Sequence, residues 1–161
     1  MQTIRIRVIV AILTFGASGC SPTVDLTRNL TVQGVSTGWT HAGFVDGKSK
    51  LVPTVSFRLN NLSDRTLAML QVNALFRRTG DEDEWGSGFL TAAGSDGLAG
   101  GARTGTFTIR SQLGYTGTDS PAAMLENSHF VDATVDLFAK YGSAQWTKVG
   151  EYAIARRLME P

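Results

Sequence analysis

The chain has 161 residues, with 15 Lys plus Arg against 14 Asp plus Glu, so no charge excess is present to recruit nucleic acid or an anionic surface. Hydrophobic residues make up 42% of it and it carries one cysteine, which supports one folded domain and excludes an internal disulfide.

The first element is a leader. Arg5 and Arg7 form a basic opening, residues 8–15 an apolar run, and Ala17-Ser18-Gly19 lead into Cys20. The apolar run suits a signal peptide, whereas a membrane span takes roughly 20 residues. Small residues ending on the sole cysteine are the lipobox arrangement of a bacterial lipoprotein, which predicts removal of residues 1–19 and lipidation of Cys20. A lipidated tether over 20–29 and a single domain over 30–161 follow. Loss of Arg5 and Arg7 leaves 13 basic against 14 acidic residues in the mature chain, so lipid rather than charge must hold it to a membrane. Two or three acyl chains do this firmly where one does so only marginally. The expected location is the bacterial cell envelope, and Ser21 in place of Asp after the cysteine points to the outer membrane of a Gram-negative host.

Beyond the tether the apolar pattern has a period of two, the period of a strand with one buried face. Residues 31–37 alternate weakly. Val52, Val55, Phe57 and Leu59 fall near one side of residues 51–60, and Leu70, Val72, Ala74 and Phe76 on one face of residues 67–77. The polar stretch 60–65 between them predicts a turn and an antiparallel hairpin. Residues 88–93 and 104–110 are further short strands, separated by the glycine-rich connection 94–101. Ser120 and Pro121 mark the start of one short crossover helix. Val131, Ala133, Val135, Leu137 and Ala139 form the clearest strand, with residues 146–156 as its partner. About seven short strands and one helix predict an all-β, antiparallel immunoglobulin-like sandwich.

Within that pattern, Leu59-Asn60-Asn61-Leu62-Ser63-Asp64, then Val72-Asn73-Ala74-Leu75-Phe76 and Gly80, resemble the central hairpin of FxLYD-type immunoglobulin-like domains of bacterial envelope lipoproteins. Arg77 and Arg78 stand where that pattern has Tyr and Asp. The resemblance covers residues 55–80 and implies a small accessory or interaction domain; it transfers no catalytic residue.

Asp81-Glu82-Asp83-Glu84 is the densest charge in the chain. The run lacks the spaced ligands of a calcium loop, and reads as a solvated hairpin tip, with a weak calcium site or a partner contact as the alternative. Trp39, Trp85 and Trp146 are the residues an aromatic binding platform would use. Each of the three is expected mostly in the core, and Trp85, beside the four acids, is the first candidate if any of them is exposed. His41 and His129 have no third ligand in sequence, so no metal site is expected, and no cofactor. Residues 93–97 lack the first glycine of a nucleophile elbow and read as a turn. Asp132 and Asp136 lie four apart on one strand face, where a carboxylate pair could serve glycoside hydrolysis or simply face solvent. The reading that follows is a non-enzymatic, lipid-anchored domain with an envelope protein partner at residues 80–88 or 94–101. A glycan or peptidoglycan-fragment module using Trp85 or Trp39 is the alternative, and an envelope hydrolase the third reading.

Overall fold

The computed structural model describes residues 23–160; the leader and the lipidation of Cys20 lie outside the described residues. The chain enters through a single helical turn, α1 (Leu26–Asn29), capped by Asp25, whose carboxylate accepts from the backbone N–H and hydroxyl of Thr27. Leu26 is buried, and the backbone N–H of Val24 donates to the hydroxyl of Tyr141. Residues 23–29, expected as part of a free tether, are thus docked on the domain, because Leu26 gives an otherwise polar segment one core contact.

Two long strands follow, β1 (Leu30–Val45) and β2 (Lys48–Asn61), joined at Asp46-Gly47. Both turn residues have positive φ, 50° and 74°, the backbone of a two-residue hairpin whose twist matches its strands. The remaining strands are β3 (Leu70–Arg78), β4 (Gly86–Ala93), β5 (Phe107–Arg110), β6 (Tyr115–Gly117), β7 (Ala133–Lys140) and β8 (Thr147–Ala153). A short helix, α2 (Pro121–Glu126), has Ser120 as its N-cap and buries Met124 and Leu125. It crosses between the sheets as the Ser-Pro signal predicts.

The strands form two antiparallel sheets, ordered β1-β2-β5 with β6 also on β2, and β4-β3-β7-β8. Since β1 borders β2 along nearly its whole length, β5 and β6 share the other edge of β2. Eight segments therefore fill seven strand positions, an all-β immunoglobulin-like sandwich. The pairing expected between the second and third predicted strands is not formed: β2 pairs with β1, β5 and β6, while β3 pairs with β4 and β7. The 62–69 connection instead carries the chain from one sheet to the other. Leu67 is fully buried and bridges Leu98, and this contact draws the connection across the end of the core.

Alternation delivers the core as period two requires: Val55, Phe57 and Leu59 from one sheet meet Leu70, Val72, Ala74, Phe76, Val135, Leu137 and Ala139 from the other, all buried. Fully burying such side chains contributes about 1.5–3 kcal/mol each. Past β8 the tail runs along the outer edge of β1, where the Trp39 N–H donates to the Arg157 carbonyl and the Met159 N–H to the Trp39 carbonyl. An edge strand otherwise open to a second chain is covered in this way.

Candidate functional site

The strand directions sort the connections into two ends. The N-terminal turn, the 62–69 and 94–106 connections and the 141–146 loop share one end. The Asp46-Gly47 turn, the 79–85 loop and α2 occupy the opposite, distal end.

The 79–85 loop is the tip of the β3–β4 hairpin, entered through Gly80 at φ 93°. Asp81 to Glu84 are all exposed. Asp81 pairs with Arg78 at 2.8 Å, and Arg77 Nε donates to the Glu82 carbonyl at 3.1 Å. The four acids are therefore a solvated tip held by the two arginines before it. Among the described residues no group of three His, Cys, Asp or Glu side chains is placed to hold a metal ion.

Trp85 at the foot of this loop is half-buried and packs against the core. Its ring lies 4.8 Å from Tyr115 and 6.2 Å from Trp39, which is itself fully buried and packs edge-on against Phe130 at 4.7 Å. Arg78 sits 6.0 Å over the Trp85 face. These rings close the distal end of the sandwich; Trp39 is enclosed there, and Trp85 is partly covered by Tyr115 and Arg78. Burial holds the Tyr115 hydroxyl above its ordinary range. The exposed indole is Trp146, with 40% of its surface accessible, beside Phe89 on the outer face of the β4-β3-β7-β8 sheet and 5.0 Å under the Lys140 ammonium. It lies on that face because β8 begins one residue after it, against Ala139.

Asp136 is not a solvent-facing acid. It is 8% exposed, and its two oxygens pair with Arg77 and, at 2.8 Å, with Lys148, which also reaches Glu151 at 2.6 Å. Arg77, in the place of the tyrosine of the resembled pattern, thus ties β3 to β7. The hydrogen bonds that its ammonium donates to Asp136 and then to Glu151 raise the Lys148 pKa above 10.5. Asp132, just before β7, is gripped by Arg156 through contacts of 2.6 and 3.2 Å. Both carboxylates are engaged by cations on separate elements, so the four-residue spacing does not assemble an acid and base around a shared cleft. His41 packs edge-on against Phe44 at 5.1 Å, while His129 sits beside α2 and donates its N–H to Asn127. Residues 94–97 form a turn in which the Gly97 N–H donates to the Gly94 carbonyl, and the next element is the strand β5, not the helix that follows a nucleophile elbow.

The 94–101 connection is fastened to the body. Met69 and Leu67 donate to the Gly94 and Leu98 carbonyls, and Asn61 Nδ2 reaches the carbonyls of Leu98 and Ala99 at 2.9 and 3.1 Å. Periodicity missed the most exposed apolar residue of the distal end, Phe44, which is 70% accessible beside the exposed Val45. The Asp46-Gly47 pair was the signal that would have placed both at a hairpin tip. No helix among the described residues is long and apolar enough to cross a membrane. The chain matches no protein-family model, and no curated protein matches it significantly.

Proposed function

We propose that this chain is a lipid-anchored lipoprotein of the bacterial envelope whose sandwich is a non-enzymatic interaction domain for a protein partner. The observation that carries the reading is the leader, in which a basic opening, an apolar run and three small residues end on the only cysteine. The docked N-terminus supports it and adds direction. With Thr23 seated at one end of the sandwich only three residues after Cys20, acylation keeps that end at the membrane and turns the distal end outward. Phe44, Val45 and the acids 81–84 then face a partner. Of the two connections expected to make contact, 80–88 presents its exposed tip 81–84 at the distal end, while 94–101 is fastened at the membrane end.

Tethering works through effective concentration, so that weak contacts suffice between molecules confined to one surface. The resemblance to FxLYD-type domains implies the same accessory role. The cation-paired state of Asp132 and Asp136 argues against envelope hydrolysis. For a Gram-negative host, Ser21 favours the outer membrane.

A photo-crosslinking residue at Phe44 or Asp83, in the wild-type and Cys20→Ala chains, tests the proposal. Expected is one shared protein adduct from wild-type membranes and its loss when Cys20→Ala releases the chain from them. A Cys20→Ala chain that stays with the membrane and keeps the adduct would sink the tethering mechanism.

A further inference from the structure

Resting on that anchored reading, we infer that the membrane end of the sandwich docks directly on the phospholipid surface through Leu62, Met69 and Trp146. Three peptide steps separate Cys20 from Thr23, which limits their Cα atoms to about 11 Å apart. Acyl chains on Cys20 enter the bilayer beside the domain, so whatever surrounds Thr23 lies against the headgroups. Thr23 and Val24 line two clefts, one continued by Arg65, Thr66 and residues 141–144, the other by Arg28 and Leu62.

The clefts themselves are lined mostly by polar side chains, but three exposed apolar ones lie on the segments that form or flank them. Leu62 is 54% exposed, and its backbone N–H donates to the Asn29 carbonyl at the end of α1. Met69 is 45% exposed beside the 141–144 loop, where the Gly142 N–H donates to the Ala68 carbonyl. Its φ of 51° lies in the left-handed region, unusual for a long side chain; that backbone buries Leu67 and Leu70 fully while turning Met69 outward. Trp146 follows the same loop under the Lys140 ammonium, and tryptophan and lysine together suit the boundary between headgroups and acyl chains. With a mature charge near zero, this contact depends on apolar burial and not on anionic lipid.

The test uses the mature lipidated chain in phosphatidylethanolamine and phosphatidylglycerol vesicles, with an environment-sensitive fluorophore on Leu62→Cys or Met69→Cys and, as distal controls, on Phe44→Cys or Asp83→Cys. Anchoring is read separately, by flotation with the vesicles. Docking predicts blue-shifted emission at 62 and 69, lost on brominating the lipid, with both controls unmoved; the Trp146 contribution, obtained by difference from Trp146→Phe, is quenched likewise. Flotation without any blue shift overturns the docking and leaves the anchor standing. A blue shift that follows protein density and ignores bromine identifies a second copy as the occupant, which overturns it too. A chain that does not float defeats both readings.

Discussion

Asn61 shows how one buried polar side chain can hold a whole end of the domain. It has no exposed surface; its Nδ2 points at the carbonyls of Arg65, Leu98 and Ala99, and its Oδ1 accepts from the N–H and hydroxyl of Ser63. Removing it leaves several buried backbone groups unpaired, so Asn61→Ala should cost about 2–4 kcal/mol in urea unfolding. Asn61→Asp should be no milder, because it keeps the shape but replaces the donors with an acceptor facing carbonyls; a wild-type midpoint for either variant would refute this account of the residue. Trp39 is the contrasting case. Its Nε1 has no partner among the described residues, so only volume is lost in Trp39→Phe. That variant should lose less than half of what Trp39→Ala loses, which is about 3–5 kcal/mol for a large buried ring.

At the scale of elements, the tail over β1 depends on Gly38, where a side-chain carbon would lie 2.7 Å from Met159 Cγ and 2.8 Å from the Arg157 carbonyl. Gly38→Val should therefore lift the tail and expose Arg156 and Arg157 to trypsin. Faster C-terminal cleavage and concentration-dependent self-association through the bared edge are expected; unchanged cleavage would show that the tail is held elsewhere. The elements legible in the sequence were those whose signal is local. The alternation from Ala133 to Ala139 and the Ser120-Pro121 cap needed no tertiary context, and β7, β8 and α2 lie where they were expected. Residues 60–65 carry the chemistry of a hairpin turn, yet they lead across the sandwich, because the burial of Leu67 against Leu98 is a long-range contact that no local pattern encodes. β6 spans three residues, too few to show a period. The site was less legible still: Trp146, expected in the core, is exposed while Trp39 and Trp85 pack inside, and that depends on which loop the distal aromatic cluster recruits.

For the whole molecule, packing without a disulfide sets the stability, and its pH dependence has a definite sign. Burial raises the pKa of Tyr115 and Tyr152 above 10.0, and hydrogen bonds donated to Asp136 and Glu151 raise that of Lys148 above 10.5. Each group keeps its proton longer in the folded state than in the unfolded chain. Their contribution is intact below about pH 10 and is lost as pH rises through the folded values. The urea midpoint should hold steady through neutral pH and fall in that alkaline window; a flat profile there would contradict the assignment. The proposed anchor, orientation and partner contact all depend on one covalent event, lipidation of Cys20, and the intact mass of membrane-extracted protein beside its Cys20→Ala variant examines it directly. The account predicts a mature chain beginning at Cys20 and carrying acyl mass, absent from the variant. An unmodified chain, or one cleaved elsewhere, would contradict it.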